Sequence, residues 1–576
     1  MISDLKKVWA IFTPAERRKS VWMLVLVVLM ALAETISVLS IMPFLSVLGR
    51  PEIVHESTFL QLIYEAGGFT NTRSFIFALG VGSILSVVGS SAFKTLTLHA
   101  LNRFVHFLRS SISVRLLSRY VQQPYEFFLT HNPSILGKNV LAEVDQLLYG
   151  LIQPVSQLIA QGAVVLAVAL LIFVFDPNTA LGIVLALGLL YGTIYIFFRK
   201  YLTRIGSESL VANSGRYQIC TEALSGIKDL KITQAANSYQ ATFNRASREF
   251  SRNQANIETL TQSPLYLVEA TGFGLLVVLA LLLLGRNNDI AHILPALGMY
   301  GFAAYRMLPS AQIMYRGFAR LQFSSAALET VHQHLTLPKE APASDVERLI
   351  PQREIRLSGI RYAYPSTPDK PILDGFDLVI AANTSTGIAG PSGAGKSTVM
   401  DLLLGLLKPQ KGTVSVDGVP IDSTNVHSWQ RAIGYVPQFI FLADASVAEN
   451  IAFGIERNDI DMLAVKRAAE AAQIHEFIME DLADGYDTAI GDRGIRLSGG
   501  QRQRLGVARA LYNDPAVILL DEATSALDRE TEEVLGEAVR AISTDKTVIV
   551  IAHKEASLLH CNRVVRIAEN SPTTPQ

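Results

Sequence analysis

Cysteine is nearly absent from this chain. Of 576 residues only Cys220 and Cys561 are cysteines, far apart and with no metal-ligand partner close by. A disulfide framework is thereby excluded, and neither thiol points to an oxidising compartment. Charge is scarce too: Asp, Glu, Lys and Arg make up 18%, and the formal net charge is -1. No field suited to gripping nucleic acid is present. What the chain holds in quantity is apolar surface. Its mean hydropathy of +0.30 is high for a soluble protein of this size, and its length demands more than one core.

Apolar runs recur before about residue 320. They cover 21–48, 74–96, 151–175, 180–198 and 264–284, with a weaker sixth at about 293–313. Each is long enough to cross a hydrocarbon core of roughly 30 Å as a helix. One such run could be the buried helix of a soluble protein; six could not. Ala31-Leu32-Ala33 resembles a signal-peptidase site, with Lys6, Lys7, Arg17, Arg18 and Lys19 ahead of it. The apolar stretch continues to Leu48, however, so it reads as a retained first span.

Lysine and arginine placement orients these spans. The amino-terminal segment is basic, residues 101–150 carry Arg103, Arg109, Arg115, Arg119 and Lys138, and a long basic stretch follows Phe198. Asp176-Pro177-Asn178 has no basic residue, and 285–290 has only Arg286. Both termini are therefore expected in the cytoplasm. The basic stretches read as helices that continue well beyond the bilayer. Residues 50–73 then lie outside; Phe59, Leu60, Leu62, Ile63 and Tyr64 suit either a short helix on the outer surface or an ordinary loop.

Residues 338–352 are polar, with Pro, Ser and acidic residues, and read as a linker. From 353 to 569 the pattern turns to short β-rich runs. Gly390-Pro391-Ser392-Gly393-Ala394-Gly395-Lys396-Ser397-Thr398 fits a phosphate-cradling P-loop, fed by a strand at 385–389 and followed by a helix at 398–407. Small residues let the backbone wrap an anion, Lys396 neutralises the β and γ charges, and the Ser397 hydroxyl suits Mg²⁺. The apolar run 517–520 reads as a fully buried strand. Asp521 at its end suits a Mg²⁺ contact, and Glu522 is placed to polarise water as general base.

Leu497-Ser498-Gly499-Gly500-Gln501, between the P-loop and that acidic pair, marks ATPases of the ATP-binding-cassette kind. With six spans ahead of it, nearly the whole chain resembles an ABC exporter half-transporter. The resemblance implies an all-α six-helix transmembrane domain (1–337) followed by an α/β P-loop ATPase domain (353–569); residues 570–576, polar and proline-containing, read as a disordered tail. It implies that Gly390, Ser392, Gly393, Gly395, Lys396, Ser397 and Thr398 bind ATP and that Tyr364 stacks on adenine. Gln438 would sense Mg²⁺, with Ser397 and Asp521 as its other ligands. Ser498, Gly499, Gly500 and Gln501 would bind the γ-phosphate of ATP held by a second chain. Asp528, in Ser525-Ala526-Leu527-Asp528, resembles the D-loop, and His553 matches the histidine that contacts the γ-phosphate. Asp492 stands where exporters usually carry glutamate, with the sign kept. Residues 124–130 and 222–230 resemble the two coupling segments. A working unit needs two chains, and the intact glutamate, histidine and signature fit a homodimer; a heterodimer stays open.

For the cargo, three phrases resemble bacterial flippases of lipid-linked oligosaccharides: Glu34-Thr35 leading to Met42-Pro43-Phe44, Tyr266-Leu267-Val268-Glu269, and Tyr305-Arg306-Met307-Leu308-Pro309-Ser310-Ala311. The implied cargo is a polyprenyl pyrophosphate glycan, moved across a bacterial inner membrane. Ionisable groups inside spans are costly and mark a cavity or pair with each other. Lys94 and Arg306 could meet a pyrophosphate, or could pair with Glu34 and Glu269 or reach an interface. An exporter of drugs, peptides or other lipids would share every ATPase motif. A non-transport ATPase acting on DNA or ribosomes is disfavoured by six fused spans, and an importer usually keeps its ATPase on a separate chain.

Overall fold

The computed structural model describes residues 2–49, 51–175, 177–286, 290–338, 347–491, 497–522, 545–552 and 558–567. They fall into two compact units. One is drawn from Met1–Gln123 and His131–Lys339, the other from Pro124–Thr130 and Glu340–Gln576.

The first unit is helical. Its long helices are Pro14–Leu39, continued by Ile41–Gly49, then Thr72–Val121, Gln153–Phe175, Pro177–Ser225, Ala236–Arg286 and Ile290–Leu335. The six apolar runs all lie on these helices. Among the described residues three segments are long and apolar enough to cross a membrane: Pro14–Gly49, Thr72–Val121 and Pro133–Val174. Thr72–Val121 has 50 residues and so extends about 75 Å at 1.5 Å per residue, far beyond the hydrocarbon core.

That helix changes character along its length. From Phe77 to Thr97 its buried residues are Ser83, Ser90 and Thr97, while Phe77, Val81, Ile84, Leu85 and Val88 are exposed. Small polar residues inside and large apolar ones outside suit a helix that faces lipid. Its second half buries Leu101, Val105, Leu108, Ile112 and Leu116, the three- and four-residue spacing of a helix packed in water.

The first span is broken at Ser40, and the cause lies in Pro43. Proline has no N–H and clashes with the preceding turn, so the helix cannot run through it unbroken. Pro14–Leu39 ends with Ser40 as its cap, and the Ser83 hydroxyl donates to the Ser40 carbonyl at 2.7 Å. Of the two readings for residues 50–73, the helix prevails. Thr58–Ala66 is helical, with Leu60 buried against Val47, Val54 and Phe75.

The second unit is built on two sheets. A four-stranded sheet, ordered β2-β1-β4-β5, is antiparallel through β1 (Glu354–Tyr362), β2 (Leu373–Ala381), β4 (Lys411–Val416) and β5 (Val419–Pro420). A five-stranded sheet, ordered β6-β7-β8-β3-β9, is parallel. Its strands are β3 (Ser385–Ala389), β6 (Ile433–Val436), β7 (Val517–Asp521), β8 (Thr547–Ile551) and β9 (Arg563–Arg566). Every residue of β8 is buried, as a parallel sheet covered on both faces requires. The second part of the expected linker is already tied to this unit: Leu349 N–H donates to Ser428 O at 3.1 Å, and Arg348 donates to Asn513 O at 3.0 Å.

Candidate functional site

In a parallel sheet all strands end on one side, and ligands bind there. β3 delivers the P-loop to that side, and β7 delivers Asp521. The loop turns on Gly393 and Gly395, whose φ of 86° and 95° are left-handed values that residues with a Cβ seldom adopt. Gly395 is the N-cap of the helix Lys396–Leu403; the helix thus begins two residues earlier than the sequence suggested. Its free N–H groups and dipole favour an anion.

Lys396 is buried, and its ammonium donates to Gly390 O at 2.8 Å and Pro391 O at 3.0 Å. The loop is thus already wrapped around a positive charge, ready to exchange carbonyl partners for phosphate oxygens. Ser397 and Thr398 follow in the first helical turn. Thr398 is buried, and its hydroxyl shares a 3.0 Å hydrogen bond with the Tyr364 hydroxyl.

At the end of β7 the backbone takes an unusual path. Glu522 has a φ of 48°, a strained value for such a side chain, and its N–H donates to Ile551 O at 2.9 Å. Its carboxylate accepts from Gln438 Nε2 at 2.6 Å. In the P-loop helix, burial, followed by the charge of Asp521, pushes the Asp401 carboxyl up to about 6. Ser397, Asp521 and Gln438 carry oxygen donors of the hard kind that Mg²⁺ prefers.

The pentapeptide 497–501 forms a separate anion-ready end. Ser498 caps the helix Gly499–Leu511: its hydroxyl accepts from Gln501 N–H, and Gln501 Oε1 accepts from Ser498 N–H at 2.7 Å. Gly499 and Gly500 leave the first turn bare of side chains. Asp492, Asp528 and His553 lie outside the described residues.

Residues 373–525 match the family described as ABC transporter, and residues 20–288 match the ABC transporter transmembrane region. An ATP-dependent lipid A-core flippase of Chromohalobacter salexigens is 30% identical over 85% of this chain and 82% of its own length. The protein of the same name from Ralstonia nicotianae is 29% identical over 79% of this chain and 76% of its own. The chain belongs to the ABC transporters. Its fold is that of an exporter: the solved structure of a bacterial Atm1-family ABC exporter with ATP bound superposes with a TM-score of 0.76, covering 97% of this chain and 95% of the other at 21% identity.

In this ABC transporter ATP hydrolysis is coupled to transport, and the charged residues of the helical unit divide. Lys94 Nζ lies 2.6 Å from Glu34 Oε1, with Glu34 buried and Lys94 28% exposed. Glu269 is exposed, and the Arg306 side chain lies outside the described ones. The ATPase unit also contains long-range contacts that the sequence does not reveal. Arg509 donates to Phe441 O at 2.7 Å and Asn450 O at 2.8 Å, tying the signature helix to the segment after Gln438. Burial lowers its pKa to about 10. Glu126 accepts from the Tyr362 hydroxyl at 3.0 Å. No local signal announces either pair, because the partners are far apart in sequence.

Proposed function

We propose that this exporter flips a lipid-linked oligosaccharide, a polyprenyl pyrophosphate glycan, from the cytoplasmic to the outer leaflet of a bacterial inner membrane, working as a homodimer. The observation that carries the reading is the naming of its relatives: proteins aligned over most of their length are ATP-dependent lipid A-core flippases. A lipid cargo is thereby favoured over a soluble one. The likeness of Tyr305-Arg306-Met307-Leu308-Pro309 to oligosaccharide flippases narrows it further, with Arg306 meeting the pyrophosphate through paired hydrogen bonds. Lys94, Glu34 and Glu269 are the other intramembrane candidates.

Each ATP lies between the P-loop of one copy and Ser498, Gly499, Gly500 and Gln501 of the other. Gly390, Ser392, Gly393 and Gly395 let backbone N–H groups reach the phosphates, Lys396 neutralises them, and Tyr364 stacks on adenine. Ser397, Asp521 and Gln438 would hold Mg²⁺, which would supply positive charge to offset that of the phosphates. Glu522 takes a proton from the attacking water, Gln438 fixes its orientation, and His553 contacts the γ-phosphate. Asp528 couples the two sites. ATP binding favours the closed dimer only by its differential affinity for that state.

The test is reconstitution in liposomes with a fluorescent lipid-linked oligosaccharide, scored against Glu522→Gln. ATP-dependent loss of probe from the leaflet equivalent to the cytoplasmic one, abolished by that change, is the expected result. Healthy hydrolysis with no movement of the probe overturns the cargo assignment. Movement of lipid A-core instead, in the same vesicles, reassigns the cargo to that of the relatives.

A further inference from the structure

The segment Pro124–Thr130 folds with the ATPase unit, although the chain on both sides of it belongs to the helical unit. Its helix begins Tyr125-Glu126. Tyr362, the last residue of β1, is wholly buried and donates its hydroxyl to Glu126 Oε1 at 3.0 Å. Its ring meets that of Tyr364 edge-on, with centroids 5.3 Å apart and planes at 87°. Tyr364 in turn shares its hydrogen bond with Thr398 in the P-loop helix. Thr398, Tyr364, Tyr362 and Glu126 thus form one unbroken line of contacts.

We propose that Glu126 and Tyr362 are positioning residues that make the docking of Pro124–Thr130 depend on whether adenine occupies Tyr364. The inference rests on Tyr364 as the adenine platform. The Tyr364 ring is held by Thr398 at its hydroxyl and by Tyr362 at its side. A stacked purine imposes its own plane on that ring. Tyr362 is wholly buried among core residues, so the shift passes to its hydroxyl and the bond to Glu126. Hydrogen bonds to a charged acceptor are strong and directional, and they weaken steeply when misaligned. Burial, with the Glu126 acceptor adding to it, pushes the Tyr362 pKa up and keeps the hydroxyl protonated as donor. By reciprocity, whatever moves the segment also changes the affinity for ATP.

The experiment is hydrogen–deuterium exchange on the full-length exporter in nanodiscs, following residues 124–130 with and without ATP. In the unmodified protein ATP changes the exchange of this segment. Tyr362→Phe keeps the ring and removes only the hydroxyl; exchange there is expected to rise about tenfold and to lose its response to ATP, with β7 unchanged. Glu126→Ala should match it. Glu126→Gln, which still offers a carbonyl acceptor, should restore most of the response, which a purely steric role would not require. Should Tyr362→Phe fail to fold, Tyr364→Phe, which cuts only the Thr398 bond, must weaken the response. An ATP response at 124–130 that survives in the folded variants overturns the proposal. Unaltered ATP affinity in Tyr364→Ala would instead sink the adenine reading, a separate outcome.

Discussion

Gln438 Nε2 lies 2.6 Å from Glu522 Oε2, so the residue two places beyond β6 holds the residue just beyond β7. The strands are neighbours in the sheet, and Glu522 is the one held in a left-handed backbone conformation. The bond therefore aims a strained carboxylate rather than merely satisfying it. Glu522→Gln keeps a partner for Gln438 but removes the base, and should cut phosphate release by about 10²–10⁴-fold with ATP binding intact. Gln438→Ala should lower the rate by about tenfold with the base still present. Parallel ATP-binding and phosphate-release assays separate the two, and equal losses in both variants would contradict the positioning role.

Asp417 offers a pH-dependent test of the ATPase unit. Its carboxylate accepts from Gln352 N–H at 2.7 Å and from Arg353 and Glu354 N–H at 2.8 Å each, which fastens the start of β1 to the turn after β4. Burial alone would raise its pKa, but the three backbone donors outweigh it and, with the charge of Arg353, hold the group below the usual carboxylate range. A depressed folded pKa contributes stability that is present above the unfolded value and lost as pH falls through the folded one. Asp417→Asn should thus lower the thermal midpoint at pH 7, and the gap to the unmodified protein should close below about pH 4. A gap unchanged across that window would show that charge plays no part.

The helical unit has a point where two backbones nearly touch. A Cβ placed on Gly206, in the helix Pro177–Ser225, would lie 2.3 Å from the carbonyl oxygen of Phe323 in Ile290–Leu335. Backbone cannot swing aside as a side-chain tip can. Gly206→Ala should therefore force the helices apart at a cost of about 1–3 kcal/mol, read as a lower melting temperature in detergent. Gly215, in the same helix with open space about it, is the control and should tolerate alanine.

What could be read from the chain was local chemistry. β3 was expected at 385–389 and β7 at 517–520, and both occur within a residue of those bounds, because a glycine loop and a buried apolar run each impose their own geometry. Pro43 could have announced the break at Ser40, but the apolar run across it reads as one span, because hydropathy does not register a missing N–H. Tyr362 and Glu126 lie 236 residues apart, and although Glu126 falls in the segment 124–130 that resembles a coupling segment, nothing in that resemblance names its partner. Their meeting depends on how a short segment between membrane helices packs on an ATPase sheet, which composition does not encode.

The buried pair Glu34–Lys94 can be assigned to structure or to cargo by stability alone compared with transport. Lys94→Met takes a cation from 2.6 Å away from a carboxylate that is 1% exposed. Breaking such a pair from one side costs about 3 kcal/mol, toward the low end because Lys94 still reaches solvent. Removing both charges, in Glu34→Gln with Lys94→Met, should return most of that loss, since the penalty comes from the charge left behind. The thermal midpoints of the two single variants and the double variant check this directly. Recovered stability with recovered flipping would make the pair a fastener between the helices Pro14–Leu39 and Thr72–Val121. If the double variant is stable yet flips no lipid-linked oligosaccharide, while its ATP hydrolysis persists, the two charges serve the cargo.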